Sequence, residues 1–133
     1  NNLSNPYLPH NIEKNSVVYT GTHDNDTTLG FLNEMDEEQF IDFKKQLRSA
    51  LKSENAICPF ASREEAALAM IVCAFASNAN TAIIPIQDIM NLDASARMNV
   101  PSTSEGNWQY RMGKMPSRRD VAILRKAIGE YRR

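Results

Sequence analysis

The chain has 133 residues, a mass of 15.0 kDa and 42% apolar residues, enough for one domain with a modest core, which argues against intrinsic disorder. Its 15 Lys and Arg residues nearly balance its 16 Asp and Glu residues, and the formal net charge of −1 provides no overall field that would attract nucleic acid or an anionic membrane. We therefore expect neither nucleic acid nor a membrane as a partner, whereas small neutral ligands are compatible with this composition.

The cysteines and the apolar runs bear on compartment and targeting. Cys58 and Cys73 lie 15 positions apart without a CxxC pair or a His cluster, so neither a zinc site nor a disulfide framework is indicated. Reduced thiols and a cytoplasmic location are the simplest interpretation. The longest apolar run, 66–76, has 11 residues, whereas a bilayer-spanning helix needs about 20. The amino end lacks a signal-peptide pattern and an initiator Met, which suggests a fragment of a longer protein.

The first predicted element is a short strand that ends at a group of polar residues. Residues 16–22 read Ser-Val-Val-Tyr-Thr-Gly-Thr, a β-branched and aromatic run ended by glycine, which is typical of a buried strand leading into a loop. The sequence His23-Asp24-Asn25-Asp26 follows directly. An imidazole and two carboxylates therefore stand together just beyond a strand.

Two helices are predicted next. An Asp followed by a Gln at the third position on forms a capping-box pattern at the start of the first, and apolar residues at helical spacing extend it over about 36–53. Ser62 and Glu65 repeat the capping pattern and predict a second helix over about 62–77. This second helix is apolar on nearly every face, so it should pack deep against a sheet.

The remainder of the chain is predicted to contain one more strand, a long loop and a last helix. Residues 82–87 form the second strand candidate, although an internal proline weakens it, and Gln87-Asp88 stands at its exit. The stretch 90–115 is rich in Asn, Ser, Thr, Gly and Pro and is predicted to be irregular. Pro116 and Ser117 then begin the last helix.

The order strand, helix, helix, strand, loop, helix fits two consecutive βα units of a larger parallel sheet or barrel. We predict that the two strands are parallel, because helices between them make the crossover. Asp24 and His23 should then lie at the same end of the sheet as Asp88, on the rim where barrel enzymes have their active sites.

The residues from His23 to Asp26 allow several interpretations by themselves. A calcium loop fails, because Leu29 stands where the sixth-position glycine is required and Met35 stands where a bidentate Glu is required. A metal-dependent hydrolase built on His23, Asp24 and Asp26 is a further hypothesis. A plain turn, in which Asp and Asn side chains bond their own backbone, is the simplest alternative.

The string Val17-Val-Tyr-Thr-Gly-Thr-His-Asp-Asn-Asp-Thr-Thr-Leu-Gly30 closely resembles a segment of the amylomaltases and plant disproportionating enzymes, the 4-alpha-glucanotransferases of the alpha-amylase clan. Further similar segments follow in the family's order and together span most of residues 5–111: Asn5-Pro-Tyr-Leu-Pro-His-Asn11, Ile86-Gln-Asp88, Arg97-Met-Asn-Val-Pro101 and Gly106-Asn-Trp-Gln-Tyr-Arg111. Ser102 stands where the family usually has glycine, and Tyr110 stands where tryptophan is commoner.

The resemblance implies an α/β fold: a helix-rich fragment with two parallel strands, the last two βα units of a TIM (β/α)8 barrel. Residues 1–133 would be the C-terminal part of a single catalytic barrel domain. The same resemblance implies a retaining transfer of alpha-1,4-glucan segments between maltooligosaccharides, with no metal or organic cofactor. Asp24 matches the family's third carboxylate, which binds the 2- and 3-hydroxyls of the reacting glucose, and His23 matches a neighbouring hydroxyl donor. The nucleophilic Asp and the acid/base Glu have no counterpart in this chain.

Further candidate site residues are indicated by residue type and by their place in the predicted loops. Asn99, in a rim loop, is expected to contact the acceptor-side sugar, and Trp108 either stacks on a sugar ring or anchors its turn by packing. Gln87 and Asp88 either serve the site or bond loop amides at the strand end. A noncatalytic glucan-binding module is the alternative function. We also expect the fragment to self-associate or to pack on the rest of its parent chain.

Overall fold

The computed structural model describes residues 9–51 and 60–132 of the chain. The elements, in chain order, are β1 (Val17–Tyr19), α1 (Thr28–Asn33), α2 (Glu37–Leu51), α3 (Arg63–Ala76), β2 (Thr81–Ile83), α4 (Ile86–Ile89), a 3₁₀ turn (Ala94–Ala96) and α5 (Ala122–Tyr131). The described part is thus rich in helix, with two short strands.

The two strands pair in parallel. Val17 lies opposite Thr81, Val18 opposite Ala82 and Tyr19 opposite Ile83. The predicted parallel arrangement is therefore confirmed, and the chain crosses from the end of β1 to the start of β2 through α1, α2 and α3. Because the strands are parallel, the segments that leave β1 and β2 emerge at the same edge of the sheet.

Helix α3 is the centre of the core. It packs against α1, α2, α4 and α5. Ile71 and Val72 of α3 and Leu32 of α1 are the largest fully buried side chains. Ala82 and Ile84 from the second strand segment pack against the same cluster. The predicted deep burial of this helix is confirmed, but its main neighbours are four helices, whereas the prediction had it packing against a sheet.

Both predicted capping boxes form. The Asp36 carboxylate accepts from the Gln39 backbone N–H at 2.8 Å, and the Gln39 side chain accepts from the Asp36 N–H at 2.9 Å. Ser62 and Glu65 exchange the corresponding bonds at the start of α3. The reciprocal bonds satisfy N–H groups that a helix start otherwise leaves unpaired, so both helices begin within one residue of the predicted positions.

Several predicted boundaries differ from the structure. The strand predicted over 82–87 ends at Ile83, because Pro85 has no N–H for the ladder and instead starts α4 as its N-cap. The strand predicted over 16–22 is confined to Val17–Tyr19. Helix α1 is absent from the sequence-based prediction. Three predicted features lie outside the described residues: the end of the helix predicted over 36–53, residues 5–8 of the segment 5–11 that resembles the family, and Cys58.

The last helix begins later than predicted. Asp120 accepts from the Ser117 backbone N–H at 2.7 Å, which closes a turn ahead of α5. This bond and a second one from the Ser117 hydroxyl lower the pKa of Asp120. Pro116 and Ser117 therefore belong to that turn, and the helix starts at Ala122. The irregular stretch predicted from 90 to 115 is confirmed apart from the short 3₁₀ turn at 94–96.

Among the described residues, no element covers one face of the sheet. Val17, Tyr19 and Ile83 are 47%, 48% and 46% exposed, and the side chains of alternate strand residues share that face. Each strand also has one edge without a neighbouring strand within the described residues. Among those residues, no helix has the length and apolarity to cross a bilayer.

We predict that the bare sheet face makes the isolated chain self-associate at micromolar concentration, because exposed apolar side chains and open strand edges favour pairing between copies. Light scattering should give a mass above that of one chain. The double substitution Val17→Thr with Ile83→Thr should shift the population toward monomer. Ile41→Thr is the matched control, since Ile41 is 48% exposed but lies on α2. A monodisperse monomer for the unaltered chain would contradict the prediction.

Candidate functional site

The loop that follows β1 turns back on itself and then starts α1. The Asn25 side chain accepts from the backbone N–H and the hydroxyl of Thr22, and the Asn25 N–H donates to the Thr22 carbonyl. Thr27 caps α1 by accepting from the Gly30 N–H at 3.0 Å. A Cβ on Gly30 would lie 2.5 Å from the Asp26 Oδ1, so only glycine leaves room for this carboxylate. The turn predicted for Asn25 is therefore present, and the Asp26 carboxylate accepts from the Thr27 N–H beside Gly30.

Asp88 ties this loop to the second strand segment. It is 4% exposed, accepts from the Thr20 hydroxyl at 2.5 Å through Oδ2 and accepts from the Thr28 N–H at 2.8 Å through Oδ1. Its two oxygens therefore bracket the loop at both ends. Asp88 was predicted either to serve the site or to bond loop amides, and its bond to the Thr28 N–H supports the second alternative. Its partners, Thr20 and Thr28, lie across the edge of the sheet from α4.

A second loop lies beside the first. The Asn99 N–H donates to the His23 carbonyl at 3.1 Å, and the Trp108 N–H donates to the Met98 carbonyl at 2.6 Å. The Asn107 side chain closes the intervening segment by accepting from the Val100 N–H at 2.8 Å. Asn107 also donates to the carbonyl and the hydroxyl of Thr103. These bonds fold residues 99–108 into a compact rim loop, although it contains no helix or strand.

The four residues singled out from the sequence meet where these loops touch. The Asn99 Nδ2 donates to the Asp24 Oδ1 at 2.7 Å, and the His23 Nε2 lies 3.3 Å from the same oxygen. The ring of Trp108 lies 5.1 Å from the ring of His23, centroid to centroid, at an angle of 39°. Both contacts to Asp24 fall on Oδ1, which leaves Oδ2 without a donor from the described residues.

The group is open to solvent. The side chains of His23 and Asp24 are 56% and 51% exposed, and Trp108 is 51% exposed. A hollow of about 520 Å³ between the strand ends is lined by His23, Asp88 and the segment 96–98. A second hollow, of about 690 Å³, lies within the rim loop and is lined by Asn99 and Trp108. Asp24 contacts one lining residue of each hollow, His23 of the first and Asn99 of the second.

The geometry does not favour the metal-dependent hydrolase. Within the described ranges, no three His, Cys, Asp or Glu side chains converge to hold a metal ion. Asp26 bonds the Thr27 N–H at 2.7 Å instead of joining His23 and Asp24. The Asn99 side chain presents an amide N–H to Asp24, and an N–H donor cannot serve as a metal ligand.

Comparison with known proteins identifies the family. A model of the 4-alpha-glucanotransferase family matches residues 1–116. The chain belongs to the 4-alpha-glucanotransferase family. Its similarity extends to the chloroplastic/amyloplastic 4-alpha-glucanotransferase of Oryza sativa, with 42% identity over 97% of this chain and 20% of that protein. A 4-alpha-glucanotransferase of Clostridium butyricum is 42% identical over 81% of this chain and 20% of its own length.

A solved structure agrees with the sequence comparisons. The amylomaltase from Streptococcus agalactiae in complex with acarbose superposes with a TM-score of 0.71 and 28% identity, covering 96% of this chain and 24% of that one. This member of the 4-alpha-glucanotransferase family therefore spans about a fifth to a quarter of the length of the relatives that it matches.

Sequence reasoning missed two residues that build the site. The Arg97 side chain donates to the carbonyls of Asp24 and Asn99, and Asn107 holds the rim loop closed. Arg97 lies within a segment that resembles the family, but the sequence does not show to which carbonyls its guanidinium donates. The Gly106-Asn107 pair is a turn signal that could have indicated the closure.

We predict that Asp88→Ala lowers the free energy of unfolding by about 2–3 kcal/mol, because it leaves the buried Thr28 N–H without its charged acceptor. Urea unfolding of the chain at fixed protein concentration measures the difference. Asp42→Ala is the matched control, since Asp42 forms an exposed ion pair with Lys45 and should change stability by less than about 0.5 kcal/mol. Equal effects of the two substitutions would show that Asp88 does not bracket the loop.

Proposed function

We propose that this chain is the part of a 4-alpha-glucanotransferase that supplies the transition-state-binding carboxylate, Asp24. The whole protein would transfer alpha-1,4-glucan segments between maltooligosaccharides. The observation that supports this most directly is the hydrogen-bonded group of Asp24, Asn99 and His23, half exposed at the edge of a parallel sheet in a chain of this family. The acarbose complex of the related amylomaltase supports an oligosaccharide as the ligand.

The chemistry assigned to the whole protein is a double displacement. A carboxylate attacks the anomeric carbon as the glycosidic C–O bond breaks, and an acid donates its proton to the leaving oxygen. The hydroxyl of a second sugar then attacks the same carbon, returns a proton to the acid/base group and frees the nucleophile. Both of those carboxyl groups would come from the part of the protein outside this chain.

Asp24 is suited to the third role by its surroundings. Asn99 and His23 both contact Oδ1, so the carboxylate is held by two neighbours while Oδ2 has no donor among the described residues and the side chain is half exposed. A carboxylate held this way accepts hydrogen bonds from two adjacent sugar hydroxyls and stabilises positive charge that develops on the ring. We propose that His23 donates to a neighbouring hydroxyl, that Asn99 faces the acceptor-side sugar, and that the exposed face of Trp108 stacks on a ring.

We further propose that β1 and β2 are strands of a (β/α)8 barrel and that residues 1–133 are the C-terminal part of one catalytic barrel domain, containing its last two βα units. The parallel pairing, the crossover helices and the position of Asp24 beyond a strand end support this assignment. For the compartment we propose the cytoplasm, because the two cysteines of the sequence are too few for a disulfide framework; the plant relatives are named chloroplastic/amyloplastic.

We predict that Asp24→Asn in the full-length enzyme lowers kcat on maltotriose by at least about 100-fold, or roughly 2.7 kcal/mol, because the neutral amide binds the distorted sugar less tightly than the carboxylate does. KM should change much less. Asp42→Asn, a control on the exposed face of α2, should keep full activity. If Asp24→Asn stayed within about threefold of wild type, Asp24 would be a turn residue only.

The isolated chain should show no transferase or hydrolase activity on maltooligosaccharides. A retaining reaction needs a nucleophile and an acid/base group about 5 Å apart, and Asp24 provides neither. Incubation of the purified chain with maltotriose, followed by chromatography for glucose and longer oligomers, measures this. Disproportionation that is abolished by Asp24→Asn would mean that the chain contains a complete site. Binding of maltooligosaccharides by a full-length protein that never turns them over would favour the noncatalytic glucan-binding module.

A further inference from the structure

Arg97 occupies the junction between the two loops of the site. It is half-buried and follows the 3₁₀ turn at 94–96, where its N–H donates to the Ala94 carbonyl at 3.1 Å. Its Nε donates to the Asn99 carbonyl at 2.8 Å, and its Nη2 donates to the Asp24 carbonyl at 2.9 Å. No ion pair among the described residues involves Arg97. The guanidinium is thus directed at two backbone carbonyls instead of a carboxylate.

These two carbonyls belong to the residues whose side chains form the central bond of the site. Asp24 and Asn99 lie 75 positions apart in the chain, yet their side chains meet at 2.7 Å. One rigid, planar group bonded to both backbones sets the spacing between them. Because Asp24 lies in a loop outside any helix or strand, its backbone position depends on such bonds.

We propose that Arg97 is a positioning residue that acts through Asp24 and Asn99, holding the two backbones so that Asn99 directs the Asp24 carboxylate at the sugar. This inference rests on the proposed function of Asp24. Arg97 also lines the hollow of about 520 Å³, so direct contact with substrate is the competing role that the test must separate.

The loops stay joined without Arg97. The Asn99 N–H donates to the His23 carbonyl and joins the two loops without the guanidinium, and the Trp108 N–H donates to the Met98 carbonyl within the second loop. Loss of the guanidinium should therefore leave the fold intact while the Asp24 carboxylate moves over a wider range. Displacement of a catalytic group by about 1 Å can cost about 100-fold in rate, and the loss falls on kcat because Asp24 acts mainly in the transition state.

The test compares Arg97→Met and Arg97→Lys with Arg63→Met in the full-length enzyme. Arg63 is the matched control, since it donates to the Leu32 carbonyl at 2.6 Å and to Glu37 at 2.7 Å, away from the site. Arg97→Met should lower kcat on maltotriose by about 10- to 100-fold with KM within about threefold and the melting temperature nearly unchanged. Arg63→Met should lower the melting temperature and keep kcat.

Arg97→Lys should recover only part of kcat, because a flexible ammonium does not reproduce the rigid planar fork with which the guanidinium bonds both carbonyls. Full recovery by lysine would overturn the assignment of a two-carbonyl bridge. A kcat for Arg97→Met that equals that of Arg63→Met would overturn the positioning role, and a rise in KM without a fall in kcat would assign Arg97 to direct substrate binding instead.

A double substitution separates this inference from the proposed function. With an activated maltosyl fluoride donor, adding Arg97→Met to Asp24→Asn should lower the residual rate by less than about twofold, because the carboxylate that Arg97 positions has already been removed. Multiplying losses would overturn the inference while leaving the role of Asp24 intact. If Asp24→Asn alone retained wild-type activity, the proposed function itself would fail, whatever Arg97→Met did.

Discussion

The parallel pairing of β1 with β2 is the constraint on which the site depends. Because both strands run in one direction, the segments that leave them emerge at one edge, and a buried carboxylate from one segment can bond the other. Asp88 does so through the Thr20 hydroxyl and the Thr28 N–H, on either side of the loop that contains Asp24. An antiparallel arrangement would have placed Asp24 and Asp88 at opposite ends of the sheet.

The elements whose cause is local could be predicted from the sequence. The two capping boxes and the apolar pattern of α3 are each encoded within a few residues, and the structure reproduces them. Helix α1 escaped prediction because it has only six residues, one of them glycine, so its propensity and its periodicity are both weak. Its N-cap, Thr27, is the signal that was available.

The site was predictable as a set of residues but not as a network. His23 and Asp24 could be singled out because they follow a predicted strand, and Asn99 and Trp108 because they lie in segments that resemble the family. The contact between the two loops could not be predicted, because the loops are far apart in sequence. The bonds of Arg97 to two carbonyls are set by how the loops pack, which no short sequence pattern encodes.

At Ser102 the structure explains an expectation drawn from the sequence. Its φ of 65° is left-handed, which favours the glycine expected there from the resemblance, and serine bears a cost of about 1 kcal/mol. Nothing in the structure explains Tyr110.

The central claim is that Asp24 stabilises the transition state by binding hydroxyls of the reacting glucose. The most direct test compares kcat/KM for maltotriose and for its analogue that lacks the 3-hydroxyl on the transferred ring, in the full-length enzyme and in its Asp24→Ala variant. The account predicts that removing the hydroxyl costs the wild-type enzyme at least about 100-fold but costs the variant less than about fivefold, because the hydroxyl has lost its partner. An equal loss in both enzymes would contradict it.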